Sequence, residues 1–482
     1  MEVQWKKTVC LYLQPQALPV QNLEETMELR LGDELPDIGR VVCAWGQAVL
    51  RNKQWRSDSV SVSGGITACV LYLPEDGSSL RCVDAWLPFQ AKWNLPPYRR
   101  EGTMQVSCLL AGLDARLLSA RKLMLRADLS LMGQTLEPTE VTLCSPAALP
   151  DGVEVLTNLY PAVLAREAGE KNFSVDEEIR LPGIAKWTHF ALQPMLTEQT
   201  VVGSRLVLRG TGQLRYCGMD DAGQLQFGQT EIPFAQFADL DREYENGEAD
   251  VMLCVASIEP EPIEGGVAVR CGITAQYLVK DRTLLEIAED AYSPNRQLEL
   301  STQQLTLPME LDNRAETLDA IVPMAEGQLI HLDFLPAQPQ LFREGDNLHL
   351  ELPGRFRLLY RDAEGQLQSA EESWCGKLEY AASDYIRVQP MVKNVEISTT
   401  GAVVTVGLQS WTDQNIPMLC DITAGEAIQP KEDRPSLLLR PMDTNSLWEL
   451  AKSTGSTMDA IRKANGLTQE PQPGQMLLIP IA

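Results

Sequence analysis

The chain has 482 residues, of which 44% are hydrophobic and 22% are charged. This balance is typical of a folded globular protein and excludes a collagen-like or intrinsically disordered chain. Acidic residues outnumber basic ones by 66 to 41, which gives a formal net charge of −25. Because this charge repels phosphate groups, and the longest basic runs are pairs and triplets such as Arg99-Arg100 and Lys6-Lys7, we expect no nucleic-acid partner.

The sequence shows no targeting signal. Residues 1–16 lack the apolar core of roughly 7–15 residues that a secretion signal needs, and nowhere do about 18 apolar residues follow one another without a charge, so no membrane span is predicted. The 11 cysteines are scattered singly without a C-x-x-C pair, which argues against a disulfide framework or a zinc ribbon. We therefore expect a cytoplasmic protein with reduced cysteines.

Three tight turns reveal an internal repeat: Glu75-Asp76-Gly77, Asp221-Ala222-Gly223 and Ala363-Glu364-Gly365, whose glycines lie 146 and 142 residues apart. At 17 and 15 positions before each glycine stand two apolar residues, with a polar residue between them in the first and third copies, a pattern that predicts a half-buried strand. These apolar pairs are Val60 and Val62, Leu206 and Leu208, and Leu348 and Leu350.

A second strand is predicted to run into each of these turns, so that each copy would hold a hairpin. It is marked by an apolar or aromatic residue seven positions before the glycine: Val70, Tyr216 and Leu358. Strand patterns also recur downstream of each turn, in residues 104–108, 249–253 and 386–388, and again in residues 123–125, 267–269 and 404–406.

The prediction for most of the chain is therefore mainly β, with three tandem antiparallel β modules. We place them at residues 1–160, 161–305 and 306–428. The segment Asp421 to Ser436 contains Gly425, Pro430 and Pro435, and this mixture of breakers and charges predicts a linker, assigned to residues 429–436.

A small domain is predicted over residues 437–482, in the order β-α-α-β. Ser446 and Glu449 have the spacing of a capping box that opens a helix, which Gly455 ends. Thr457 caps a second helix that ends at Asn465-Gly466, where glycine relieves the left-handed conformation. Strands are predicted at Leu437 to Leu439 and Met476 to Ile479. Four basic and four acidic residues balance in this domain, so the charge of −25 belongs to residues 1–436.

This domain resembles a LysM domain. The resemblance rests on Ser446-Leu447-Trp448, Ala451, Thr457, Ile461, Asn465-Gly466 and Pro473 to Pro480, whereas the usual Gly-Asp-Thr opening is Thr444-Asn445-Ser446. It implies binding loops on the residues where LysM domains hold N-acetylglucosamine chains: Asp443, Thr444, Asn445, Ser446, Asn465, Gly466, Leu467, Pro473 and Gly474. Trp448, in the first helical turn, is expected in the core and not on a sugar-binding surface.

The β repeats followed by a LysM domain resemble the SPOCS-domain family of endospore-forming bacteria, over nearly the whole chain. The residues that carry this resemblance are Leu35-Pro36, Leu181-Pro182, Tyr72 to Gly77, Tyr360 to Gly365, Ile232-Pro233-Phe234 and Pro435-Ser436-Leu437. The resemblance implies SPOCS-like β modules in a mother-cell protein at the forespore surface. Such a protein helps to attach the spore coat, and its LysM domain contacts a spore coat morphogenetic protein.

No catalytic motif is present, and we expect a protein that is not an enzyme and that needs no cofactor or metal. The three histidines, His189, His331 and His349, are far apart, with no H-E-x-x-H. Gly210-Thr-Gly212 lacks the third glycine of a dinucleotide fingerprint, and neighbouring acidic residues such as Glu371-Glu372 would point to opposite faces of a strand.

Two functions remain open. The first is a non-enzymatic scaffold of spore coat morphogenesis. The second is a carbohydrate-binding protein that recognises peptidoglycan or another N-acetylglucosamine glycan through Asp443 to Ser446 and Leu467 to Pro473. A wall hydrolase is disfavoured, because neither an export signal nor a catalytic domain is visible.

Overall fold

A computed structural model describes residues 4–96, 101–149, 152–322, 327–345, 347–381, 386–428, 435–443 and 446–481. The fold is mainly β, as predicted, with two short helices near the C-terminus. No helix in these ranges is long and apolar enough to cross a membrane. All 11 cysteines are unpaired thiols, most of them buried.

The elements follow in chain order. They are β1 (Gln4–Arg30), β2 (Ile38–Arg56), β3 (Ser59–Pro74), β4 (Arg81–Asn94), β5 (Thr103–Ser119), β6 (Lys122–Ala148), β7 (Glu154–Ile179), β8 (Ile184–Asp220), β9 (Leu225–Tyr244), β10 (Gly247–Ile263), β11 (Gly266–Tyr292), β12 (Arg296–Ile321), β13 (Gln328–Pro336), β14 (Gln340–Glu344), β15 (Asn347–Arg361), β16 (Leu367–Ala381), β17 (Ile386–Ile397), β18 (Gly401–Ala427), β19 (Leu437–Pro441), α1 (Leu447–Thr454), α2 (Met458–Asn465) and β20 (Met476–Pro480).

Long antiparallel strand pairs organise the β region. In each third of this region the first and last strands pair along most of their length, namely β1 with β6, β7 with β11, and β12 with β18. A shorter strand borders each pair: β5 on β6, β10 on β11, and β17 on β18. The first two thirds join in one six-stranded sheet, where β1 meets β7 at Leu13 and Ala165.

Smaller sheets, one in each third, are formed by strands that lie in the chain between the first and the last strand of that third. They have the orders β2-β3-β4, β8-β9 and β13-β15-β14, with β16 also paired to β15. Together the sheets form a propeller-like ring. The module boundaries at residues 160, 305 and 428 stay a prediction.

The three predicted turns are present between β3 and β4, β8 and β9, and β15 and β16. Gly77, Gly223 and Gly365 have φ angles of 72°, 79° and 77°, in the left-handed region that glycine adopts without steric cost. Each glycine N–H donates to the carbonyl three residues earlier, at 3.3, 3.0 and 3.0 Å. The local turn chemistry was therefore predicted correctly.

The strands before these turns differ from the prediction. The apolar pair and the later aromatic or apolar residue lie on one continuous strand in each copy, and not on two. In β3, for example, Val60 and Val70 belong to one strand that pairs with β2 on one side and with β4 on the other. Since every residue from Val60 to Val70 is paired in both ladders, no turn separates the two positions. The hairpin has the turn at its tip.

One core is shared by all three thirds of the β region. Six positions before each turn glycine stand Leu71, Cys217 and Leu359, and all three side chains are buried in the same apolar cluster. Trp45 is buried in this cluster and meets the ring of Phe227 edge-on, with 5.6 Å between ring centroids. The three stretches therefore pack as one body. We call the cluster around Leu71, Cys217 and Leu359 the shared core.

Buried ionic groups also connect the thirds. The Arg357 side chain is 4% exposed and donates to the carbonyl oxygens of Ala44 and, at 3.0 Å, Leu113. Arg215 and Asp333 form an ion pair at 2.8 Å between the second and third stretches. A buried charge is tolerated when it is paired and hydrogen-bonded, and these partners come from different thirds. Arg357 and the ion pair therefore favour one relative placement of the strands.

The breaker-rich segment that starts at Asp421 begins inside a strand, whereas the linker assigned to residues 429–436 stays a prediction. Asp421 and Ile422 lie in β18, which continues to Ala427 and pairs with β12. Ile422 is buried beside Leu419, so ladder hydrogen bonds and apolar burial outweigh the local breaker signal of Gly425. Of the linker, residues 429–434 lie outside the described ranges.

We expect Leu71→Ala to lower the free energy of unfolding by about 3 kcal/mol, because the change opens a cavity in a fully packed core. Chemical denaturation of the full chain would measure the loss. Leu284→Ala is the matched control, since Leu284 is 66% exposed, and its effect should stay within about 0.5 kcal/mol. Equal effects of the two changes would contradict the shared core.

Two histidines lie against the shared core. The His189 ring is 5.9 Å from Trp45, and His331 stacks on Phe227 at 4.2 Å. Removal from water lowers the pKa of His189 from 6.5 to about 3 and that of His331 to about 4, while the nearby Asp333 carboxylate acts in the opposite sense. Both histidines are therefore neutral in the folded protein at neutral pH.

These pKa values are lower in the folded than in the unfolded chain. The contribution of the two neutral histidines to the free energy of unfolding should therefore be complete above pH 6.5 and decrease as the pH drops toward 4. The slope is up to about 1.4 kcal/mol per pH unit for each histidine. Urea unfolding at neutral pH and at about one and two units below it measures this slope. His331→Gln should make the dependence shallower, and an unchanged slope would show that this histidine is not involved.

Candidate functional site

The C-terminal module has the predicted β-α-α-β order. β19 pairs antiparallel with β20, so that Leu437 lies opposite Pro480 and Leu439 opposite Leu478. The two helices cover one face of this short sheet. Their common core consists of Met442, Leu447, Trp448, Leu450, Ala451, Ile461, Leu477 and Ile479, together with Tyr292 from β11.

The helix ends match the sequence analysis. The Ser446 hydroxyl accepts a hydrogen bond from the Glu449 N–H at 3.2 Å, and the Thr457 hydroxyl accepts one from the Ala460 N–H at 3.1 Å. Gly455 and Gly466 end the two helices with φ angles of 66° and 62°. Because capping depends on neighbouring residues alone, these boundaries could be read from the sequence.

Two of the predicted binding segments lie side by side. The Met442 N–H donates to the Gln475 carbonyl at 2.8 Å, and the Gly474 N–H donates to the Met442 carbonyl at 2.9 Å. These bonds place Asp443 next to Pro473 and Gly474, and all three are exposed. We call Asp443, Pro473 and Gly474 the loop rim. Thr444 and Asn445, also predicted for this site, lie outside the described residues.

The other predicted residues serve mainly the module itself. The Asn465 amide donates to the carbonyls of Ile461 and Leu478 at 2.8 and 2.6 Å, and its oxygen accepts from the Leu478 N–H at 2.8 Å. This side chain therefore holds α2 against β20. Leu467 packs against the module core, while Gly466 is exposed.

Trp448 lies in the core, as predicted. Its side chain is 5% exposed, and its ring meets Tyr292 edge-on with 4.8 Å between centroids. The indole Nε1 donates to the Asp290 carboxylate at 2.8 Å. Trp448 therefore contacts the β body and offers no ring face to a sugar.

Asp290 is the centre of this contact between the module and the β body. Besides Trp448, its carboxylate binds the Lys452 ammonium, at 2.8 and 2.6 Å. The Tyr292 hydroxyl donates to the Ser456 carbonyl at 2.9 Å, and burial is the main cause that raises the pKa of this tyrosine. This contact could not be predicted from the sequence, because nothing in the local pattern around Asp290 distinguishes it from other acidic strand residues.

The outer face of the β19–β20 sheet is apolar. The side chains of Leu437, Leu439, Met476 and Leu478 are 50%, 61%, 53% and 38% exposed. Ordinary strand alternation puts polar residues on the side away from the core, and contiguous exposed apolar side chains mark an interaction surface. We call these four residues the apolar face. The run Leu437-Leu438-Leu439 was predicted only to be a strand. Because successive side chains of a strand point to opposite faces, three consecutive leucines already place at least one leucine on the outer face.

The family model of the LysM domain matches residues 444–480. The chain therefore carries a LysM domain at its C-terminus, and such a domain implies binding of peptidoglycan or another N-acetylglucosamine glycan. The match covers this module alone. Comparison with curated proteins and with solved structures gives no match. Among the described residues, no three or more His, Cys, Asp or Glu side chains are placed to hold a metal ion.

We expect Asp290→Asn to loosen the LysM domain from the β body, because the Lys452 ammonium and the Trp448 indole then lose a charged acceptor. Hydrogen bonds to charged groups contribute about 1.5–3 kcal/mol. Hydrogen-exchange mass spectrometry should show faster exchange in residues 288–292 and 447–456. Glu470→Gln, which removes the exposed pair with Arg462, is the control and should leave both segments unchanged. Equal exchange in the two variants would argue against docking through Asp290.

Proposed function

We propose that this protein is a non-enzymatic scaffold of spore coat morphogenesis, in which three SPOCS-like β modules form the body and the LysM domain binds a spore coat morphogenetic protein. It would act in the mother cell, at the forespore surface. The SPOCS-like motifs in residues 1–436 support this proposal, whereas the LysM match by itself implies glycan binding. The observation that carries it is the apolar face, which fits a protein partner better than a glycan.

The apolar face offers two kinds of contact. Its four side chains lose contact with water when a partner covers them, and burial of apolar surface gains about 25 cal/mol per Å². In the described part of the chain, β19 and β20 pair only with each other. Asn465 already bonds the main chain of β20 at Leu478, so the outer edge of β19 is the one available to a partner. A strand from the partner could extend the sheet through this edge. Sugars, by contrast, need polar groups beside any apolar surface.

Glycan binding is the second candidate, favoured by the LysM match. The loop rim of Asp443, Pro473 and Gly474 lies at the residues where LysM domains bind N-acetylglucosamine. Because Trp448 is buried against Tyr292, it adds no stacking surface, and binding would depend on the main chain and polar groups of the rim.

The two candidates predict different effects of mutation. Leu439→Asp should abolish capture of a coat morphogenetic protein from sporulating cells, identified by mass spectrometry, because a charge on the apolar face loses its hydration when the partner covers it. The same variant should still sediment with insoluble peptidoglycan if the rim binds glycan. Asp443→Lys should no longer sediment with peptidoglycan if the rim binds glycan, and it should still capture the coat protein.

Leu284→Asp is the matched control, since Leu284 is an exposed leucine of the β body. Thermal unfolding of each variant would show that the fold is kept. Capture of the coat protein by Leu439→Asp at the wild-type level would contradict the adaptor proposal. If the wild-type protein sediments with peptidoglycan and captures no coat protein, glycan binding would replace the adaptor function.

A further inference from the structure

A large cavity lies between the three thirds of the β body. Its volume is about 780 Å³, and its wall includes residues from all three thirds of the chain. Long consecutive runs contribute to this wall, notably residues 191–199 of β8, 250–255 of β10 and 391–395 of β17. A strand that turned one face to the cavity would contribute alternate residues. Consecutive residues indicate that strand edges face it.

The packing of β10 supports this conclusion. Met252 and Cys254 are buried in an apolar cluster formed mostly by residues of β1 to β6, which we call the core of the first third. Ala249 and Val251 are buried in a different cluster, on the opposite face of β10. One edge of β10 is paired with β11 along its whole length. With both faces and one edge occupied, β10 can border the cavity only through its other edge.

β17 borders the cavity in the same way. Met391 packs against the core of the first third, and Val392 and Val395 pack against the core of the last third. Among the described residues β17 pairs only with β18. Unpaired main-chain N–H and C=O groups of β10 and β17 thus face the cavity, and such groups need hydrogen-bond partners.

The cavity has the size of a short strand. An added strand occupies about 4.8 Å along the hydrogen bonds and about 10 Å between its faces. The volume of about 780 Å³ therefore accommodates roughly 16 Å of strand, or about five residues at roughly 3.3 Å each. This length corresponds to the runs 250–255 and 391–395.

Lys393 supplies a charge for the occupant. Its side chain lines the cavity and is exposed, and desolvation by the surrounding protein lowers its pKa. No hydrogen bond or ion pair of its ammonium group occurs in the described part of the structure. The carboxylate of Asp250 nearby is already bound by Lys280 and Gln409.

Lys280 and Lys393 are close enough to repel each other. The pKa of Lys280 is lowered to about 7, mainly by burial; Glu248 opposes this shift, and the Lys393 cation contributes to it. A carboxylate placed beside Lys393 would remove this repulsion and neutralise an otherwise unpaired cation. The charge inside the cavity therefore complements an acidic side chain, despite the negative charge of the whole protein.

We propose that the cavity binds an extended peptide segment of about five residues, which pairs with the free edge of β10 and presents one carboxylate to Lys393. Strand addition of this kind gains affinity from main-chain hydrogen bonds and specificity from the side chains. The site lies in the β body, away from the LysM domain, and is independent of the function proposed for that domain.

A displayed library of short random peptides, selected against the full-length protein, tests the proposal. We expect enrichment of sequences with a single Asp or Glu among residues that favour strands. The Kd of a selected peptide should rise at least about tenfold for Lys393→Glu, and replacing its Glu by Lys should restore affinity for this variant. Lys463→Glu, at an exposed position of α2, is the matched control.

Main-chain pairing is tested by N-methylation of the selected peptide, one residue at a time. Methylation should abolish binding at alternate positions, because only every second N–H faces β10. Lys393→Gln is a second variant with a smaller perturbation, and thermal unfolding checks that both variants fold. The proposal is wrong if no sequence is enriched, if Lys393→Glu binds the selected peptides as tightly as the wild type does, or if methylation is tolerated at every position.

Discussion

The burial of Leu71, Cys217 and Leu359 in one core is the constraint on which the rest of the molecule depends. These residues occupy equivalent positions in three copies of a strand-turn unit, and each reaches the core because the following glycine turn sets the end of its strand. Once they meet, the remaining strands of each copy are arranged around a common centre. The cavity, the buried ion pairs and the edge of β10 all follow from this convergence.

The position of the LysM domain depends on a much smaller contact. Asp290 binds both Trp448 and Lys452, while Tyr292 binds the main chain after α1. These groups come from the last residues of β11, at the end of a strand that belongs to the second third of the β region. The module is thus attached to a part of the body that precedes it by about 150 residues in the chain. Its apolar face and loop rim remain directed to solvent.

The parts of the structure that depend on neighbouring residues could be predicted from the sequence. The caps at Ser446 and Thr457 and the turn at Gly77 are examples, because the chemistry that determines them lies within a few residues. The buried position of Trp448 was also predicted. Its partner Asp290 was not, since the contact joins residues far apart in the chain and leaves no local pattern.

The same distinction explains the errors. The break predicted between Val60 and Val70 does not occur, because β3 is held by ladders on both sides, and Ile422 lies in a strand because β12 pairs with it across more than a hundred residues. The apolar face shows the opposite case. Its leucines are visible in the sequence, but only the pairing of β19 with β20 shows that they lie on one exposed surface.

The pairing of first and last strands also determines when the body can assemble during synthesis. Arg30 at the end of β1 lies opposite Lys122 at the start of β6, so this pair closes a loop of about 90 residues before its first ladder bond forms. Closing long loops slows folding. During synthesis, β1 cannot pair with β6 until β6 has left the ribosome. During that interval its edge is open to other strands, and a chaperone that covers it would protect the nascent chain from aggregation.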